Sequence, residues 1–273
     1  MTQALSTDNG ADFLRLMKRY VIDYTNSHDQ DQTWSIMVPD YVLRMGSHFV
    51  TGRDTQYRAA TRKQMDQFPG LMLTVHEIWT SGERLMMRFS EHGASGKHGG
   101  ALAAWGGIGL YEWDGERLIR NHVEQDYLSR ARQLSSGIPV AVEGPATAPW
   151  DVVPAKADPD AENVVRASLK EGDITAHEAI LCDDAWAGIA NPPVLDQVGI
   201  EINDLFSCGG RVGFHVSQTG KVLPGGLPDD EHVGDMGTLY MAGILEVVDE
   251  KIVSGRIIRN RIELKRALRK DGP

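Results

Sequence analysis

Two hydrophobic periodicities alternate along the chain. Phe13, Leu16, Met17, Tyr20, Val21 and Tyr24 recur at helical spacing and predict an amphipathic helix over residues 12–27, with Asp8 and Asn9 as candidate caps. A short turn and a strand through residues 41–45 follow. Asp54 is placed to cap a second helix over 55–68, which Pro69 and Gly70 end. The period then drops to two. Strands are expected over 71–79, 84–92, 101–113 and 117–126, with a hairpin at Ser81 and Gly82 and a glycine-rich loop (Gly93, Gly96, Gly99, Gly100) between the second and third. Residues 127–134 read as a closing helix. Helices first and a meander of strands afterwards make an α+β unit.

The pattern then repeats. Residues 1–138 form the first unit, 139–157 a Pro/Gly-rich linker and 158–273 a second, shortened unit. Asp158 and Pro159 open its helix, and strands are expected near 198–206, 211–217, 238–248 and 251–260 before a basic helix over 263–270. Trp79, Gly82 and Arg84 match Phe206, Gly209 and Arg211 at an offset of 127; Glu112 and Glu116 match Glu246 and Glu250 at an offset of 134. The second copy has no counterpart of the 55–68 helix; Asn191, Pro192 and Pro193 stand there instead.

Composition narrows the classes. The 273 residues are 41% hydrophobic and 24% charged, which fits a globular chain. A net charge of −10 argues against a nucleic-acid partner. No apolar run has membrane-spanning length, and the first ten residues have no signal-peptide pattern, so a cytoplasmic protein is expected. Cys182 and Cys208 lack metal-ligand spacing, no histidine pair has it either, and no metal is expected. Residues 1–140 hold 15 basic and 16 acidic groups and six of the nine histidines, so the chemistry is expected there rather than in the strongly acidic remainder.

The stretch 118–127 concentrates that chemistry. A regular strand puts His122, Glu124 and Asp126 on one side and Asn121, Val123 and Gln125 on the other. A histidine titrates near neutrality, and a neighbouring carboxylate can fix its tautomer, so His122, Glu124 and Asp126 are candidate acid–base residues; a solvent-facing polar side is the plain alternative. The phenol of Tyr20 can hold an oxyanion, although an apolar helix stripe is also where core tyrosines sit. His76, His92 and Arg44 are candidates for contacting a substrate, and the tryptophans and methionines of the sheet, Trp105 among them, for an apolar pocket. The glycine-rich loop lacks the strand–helix context of a phosphate site.

The first helix, the Gly52, Arg53 and Asp54 element opening the second, the Phe68–Leu71 turn, the Gly82–Leu85 hairpin and a last strand ending in Asp126 resemble the nuclear transport factor 2-like superfamily, most nearly its SnoaL-like polyketide cyclases. The resemblance covers residues 13–134 and, more weakly, 158–269. It implies two tandem cone-shaped domains, each a curved antiparallel sheet wrapped around N-terminal helices and enclosing an apolar pocket. It also implies enzymes that use placed acids and bases without a cofactor, alongside non-catalytic binders. Tyr20 falls on the oxyanion tyrosine of ketosteroid isomerase and Asp126 on the acid–base aspartate of polyketide cyclases; Met45 and Gly109 fall where the isomerase has its two aspartates. A tandem chain of this kind also resembles the lignin-diarylpropane γ-formaldehyde lyases. The implied function is a cofactor-independent lyase acting on a small apolar, aromatic or polyketide-like molecule by dehydration or loss of formaldehyde. A cyclase or isomerase, or a non-catalytic binding module, is the alternative. Arg256, Ile258 and Asn260 replace the acid–base set in the second copy, which is expected to be a scaffold in a homo-oligomer or fused pseudo-dimer.

Overall fold

A computed structural model describes residues 10–183, 192–228 and 230–270 of the chain. The candidate caps Asp8 and Asn9, and Asn191 in the second copy, lie outside the described residues. Helix α1 (Gly10–Arg19) continues through Tyr20–Asn26 with the wider turns of a π-helix. Its apolar stripe is buried, from Phe13 to Tyr24. After the short α2 (Thr33–Ile36) come β1 (Met37–Met45), β2 (His48–Thr51), a wide turn over Gly52–Tyr57 and α3 (Arg58–Gln67). Then follow β3 (Met72–Thr80), β4 (Arg84–Ser95), β5 (Ala101–Trp113), β6 (Leu118–Gln125) and α4 (Tyr127–Ser136). These strands form one sheet in the order β2-β1-β6-β5-β4-β3. It is antiparallel except where β1 lies parallel to β6, because the long α3–β5 excursion intervenes before the chain returns beside β1.

The second unit holds α5 (Pro159–Glu171), β7 (Ile180–Cys182), β8 (Leu195–Cys208), β9 (Arg211–Val222), β10 (Met236–Val248), β11 (Lys251–Arg259) and α6 (Arg261–Lys270). Its sheet runs β7-β11-β10-β9-β8, with β7 parallel to β11 as β1 is to β6. Asp158 caps α5 as expected, accepting from the amides of Asp160 and Ala161. The repeat holds at the level of single hydrogen bonds. The amide of Asp126 donates to the carbonyl of Gly106 and that of Asn260 to the carbonyl of Tyr240, both pairs at the offset of 134. The chain is thus α+β, two tandem sheets each curved around its own helices, with the second copy the shorter.

Each unit has its own core, one built on Phe13, Tyr20, Met87 and Tyr111, the other on Val165, Phe214, Met241 and Leu264. A third cluster joins them: Met86, Ile108 and Leu110 from the first sheet meet Phe206, Ala242, Ile244 and Ile258 from the second. The convex faces of both sheets are therefore buried against each other. Burying apolar area at roughly 25 cal/mol per Å² favours this fused arrangement over two separate units. The segment between the units lies across the first sheet: the amides of Ala146 and Ala155 donate to the carbonyls of Val75 and Thr80, and Trp150 and Val152 pack on the first core.

Candidate active site

Strand parity decides which residues can form a site. On β4, Leu85, Met87 and Phe89 point into the first cone, and Glu91 is next in that series. On β6 the inward residues are Asn121, Val123 and Gln125. Together with α1, α3 and β1 they enclose a cavity of about 550 Å³. Its floor and walls are aromatic and aliphatic, including Tyr20, Tyr24, Tyr57, Tyr111, Leu43, Met45, Leu73 and Phe89.

Two of the polar groups along this lining carry its acid–base chemistry. The first is a set of phenols. Tyr20 and Tyr24 lie one turn apart with rings 5.7 Å apart, and the Tyr20 ring meets that of Tyr111 at 5.8 Å. The Tyr20 and Tyr57 hydroxyls are 3.5 Å apart, and Tyr20 also hydrogen-bonds Tyr111. Tyr41, one layer back, donates to Oδ1 of Asn121 at 2.7 Å. Burial raises the pKa of all five phenols, with the charges of neighbouring phenols adding to it for Tyr20, Tyr41, Tyr57 and Tyr111. They stay neutral and serve as donors. The Tyr24 hydroxyl is buried beside the hydroxyls of Thr61 and Tyr57, which oppose the effect of burial on its pKa. A phenol on a cavity wall can also donate to an acceptor supplied by a ligand.

The second group is centred on Glu91. Its carboxylate accepts from Nε2 of Gln64 at 2.5 Å and is close to Trp105 and Gln125, whose side chains are themselves joined by an indole-to-amide bond of 2.8 Å. Glu91 is 6% exposed. Burial pushes its pKa up from 4.5 to about 7; the Arg130 guanidinium and the hydrogen bonds from Gln64, Trp105 and Gln125 oppose this but do not outweigh it. Arg130 is itself occupied by the faces of Tyr127, Trp105 and Phe68. A carboxyl poised near neutrality in an apolar cavity can both give and take a proton at pH 7.

The expected acid–base set lies elsewhere. His122, Glu124 and Asp126 are brought together, but on the convex side, where the second sheet covers them. Nδ1 of His122 meets Asp204 at 3.0 Å, and its ring stacks on His215 at 5.0 Å. Burial lowers the His122 pKa despite that partner. Glu124 is fully buried and accepts from Nε2 of His215 at 2.8 Å, the amide of Gly46 at 2.7 Å and Nδ2 of Asn260 at 2.8 Å. Asp126 caps α4 through the amide of Ser129 and pairs with Arg261; burial and the charge of Asp183 raise its pKa. The β6 register puts these three candidate acid–base residues outside the cavity, and the physical reason is that both faces of this sheet are buried. Polarity on one face marks an interface and on the other a cavity.

The other expected residues divide similarly. Tyr20 and Met45 line the cavity. Trp105 is fully buried one layer behind it, acting through Gln125. Arg44 is on the opposite side of β1, over the rings of Phe49 and Tyr240. His76 sits at a bulge in β3, held by Ser90 and by the carbonyl of Gly144, and His92 meets Thr74 at 3.3 Å; neither lines the cavity. Glu91, Gln64 and Gln125 were not anticipated. The signal for Glu91 was a charged residue continuing the inward apolar series of a strand. Among the described residues no group of three His, Cys, Asp or Glu side chains could hold a metal, and no helix is long and apolar enough to cross a membrane.

The second cone is altered at the equivalent positions. By the same offsets Gln218 replaces Glu91, Leu245 replaces Tyr111 and Arg259 replaces Gln125. Gln218 donates to Gln197 at 2.9 Å, and Arg259 forms a fully buried ion pair with Asp183.

No protein-family model and no curated protein matches the sequence. Solved structures do. A protein of the SnoaL-like polyketide cyclase type from Jannaschia sp. CCS1 is 17% identical, with a TM-score of 0.43 over 49% of this chain and 96% of its own. An LEH-like epoxide hydrolase from M. tuberculosis is 16% identical, with a TM-score of 0.39 over 46% of this chain and 90% of its own. TsrD from Streptomyces laurentii is 24% identical, with a TM-score of 0.40 over 46% and 96%. Each covers about half of this chain.

Proposed function

We propose that the first unit is a cofactor-independent acid–base enzyme of the lyase type, acting on a small phenolic substrate, and that the second unit is its scaffold. The observation that carries this reading is Glu91, a buried carboxyl with its pKa pushed up to about 7, sharing a cavity with a wall of neutral phenols. The chemistry follows from those two groups. A substrate phenolate is held by the tyrosine hydroxyls, which donate to it and remain protonated. Glu91 in its acid form gives a proton to the benzylic hydroxyl. The C–O bond breaks, water leaves, and ring electrons fill the vacancy to give a quinone methide. The Glu91 carboxylate then takes the hydroxyl proton of an adjacent hydroxymethyl group. The O–H electrons become the C=O of formaldehyde, the C–C bond breaks, and its electron pair restores the aromatic phenolate. One carboxyl returns to its starting state, and the products are an alkene, water and formaldehyde. Where no hydroxymethyl group is present, removal of the neighbouring C–H proton completes a simple dehydration.

The test uses 1-(4-hydroxyphenyl)-2-phenylpropane-1,3-diol, followed by stilbene absorbance and formaldehyde release. The expected result is turnover by the native chain, a loss of about 10²–10⁴-fold in Glu91→Gln, and near-native rates in His122→Ala. Undiminished turnover in a folded Glu91→Gln variant would overturn the assignment.

A further inference from the structure

Part of the cavity wall does not come from the first unit at all. Asn260, Ile262, Glu263, Arg266 and Ala267, at the cap and on one face of α6, line the mouth. Two carboxylates clamp this helix in place. Glu124 holds Asn260 and the amide of Gly46 together, at 2.8 and 2.7 Å. Glu263 accepts from the amide and hydroxyl of Ser47 at 2.9 and 2.6 Å, and from Nδ2 of Asn260 at 3.0 Å. Leu264 and Leu268 anchor the far side of the helix in the second core. The mouth is a fixed structure built by both copies.

Given that the cavity is the substrate site, we propose that Arg266 is its specificity-determining residue and selects substrates bearing a carboxylate at the solvent-facing end. Among the described residues Arg266 is the one arginine or lysine lining the cavity, and it is exposed at the rim while Glu91 is buried. It makes no hydrogen bond or ion pair among the described residues. Its neighbour three residues back, Glu263, is already taken by Ser47 and Asn260, and Arg261 by Asp126 and Asp183. A guanidinium left free at a pocket mouth, in a chain of net charge −10, is matched by a planar carboxylate that accepts both of its parallel N–H bonds. The interior adds the phenol hydroxyls of Tyr20, Tyr24 and Tyr57, which can donate to an oxygen of the substrate. The substrate class is therefore an aromatic acid, with an oxygen at the tyrosine wall and its carboxylate at α6.

The probes are 4-hydroxyphenylalkanoic acids of increasing chain length and their methyl esters, with affinities measured by titration calorimetry on the full chain. In the native protein at least one acid binds about tenfold more tightly than its ester, and added salt reduces the difference. Arg266→Ala brings the ratio close to one, with ester affinity and the circular dichroism spectrum retained. Arg266→Lys keeps part of it, because an ammonium supplies charge without the fork. Equal affinities for every acid and ester pair, a preference that survives Arg266→Ala, or no binding of any acid would each overturn the proposal. The readout here is binding without turnover, so a failure of the catalytic assignment is read separately from a failure of this one.

Discussion

Glu91→Gln should disable the site and stabilise the protein, and the second effect depends on pH in a way that no other origin reproduces. Below pH 4.5 the carboxyl is protonated in both folded and unfolded chains and costs nothing. Between pH 4.5 and about 7 the unfolded chain releases a proton that the folded chain keeps, so stability falls as pH rises. Above pH 7 the penalty is complete. A rise from 4.5 to about 7 corresponds to roughly 3 kcal/mol. The glutamine has no charge to desolvate, and Gln64 can turn its amide to meet it, at a loss of about 1 kcal/mol for the weaker hydrogen bond. The net expectation is a variant about 2 kcal/mol more stable than the native chain at pH 8, roughly 4–8 °C in Tm, and no more stable than it at pH 4. Urea unfolding of both proteins at the two pH values measures this. A stability difference independent of pH would refute the reasoning, because the carboxyl would then be titrating normally in the folded state.

Tyr20→Phe removes a donor from the phenol wall and should lower kcat by about 10²-fold with the fold intact, measured with the diol probe beside circular dichroism. Glu124→Gln should cost about 2–4 kcal/mol in unfolding free energy, because a fully buried carboxylate holds Gly46, His215 and Asn260 at once; the loosened mouth should appear as a raised KM for the same probe. Gly107→Ala puts a methyl carbon about 2.5 Å from the Phe89 ring, which must then move. Calorimetric unfolding should show a loss of about 1–3 kcal/mol, and titration with the phenolic acids should show weaker binding.

The fold was legible because its signals are local and repeated. The hairpin glycines Gly82 and Gly209 adopt the left-handed backbone that their place in the repeat requires, with φ of 93° and 58°. The alternation along β6 was legible too, down to the two sets of side chains it separates. What could not be read was which set faces the cavity. A single-domain reading assigns the richer polar side to the site, since an outer face would otherwise meet solvent. Here the second sheet covers that outer face, so His122 finds Asp204, Glu124 finds His215 and Asp126 finds Arg261, partners 82, 91 and 135 residues away. Burial in a dry interior, rather than a local motif, singles out Glu91; its neighbours in sequence, Ser90 and His92, face the other way. The second copy marks the same position from the other side, with Gln218 in the equivalent place.

In the proposed mechanism Glu91 holds a proton near neutral pH inside the first cone. Infrared difference spectra of the native chain minus Glu91→Gln, recorded across pH, isolate the carbonyl stretch of that one protonated carboxyl. A band that disappears with a midpoint near pH 7, and moves when a phenolic acid enters the cavity, is the expected result. A midpoint near 4.5, or a band indifferent to the ligand, would contradict the account.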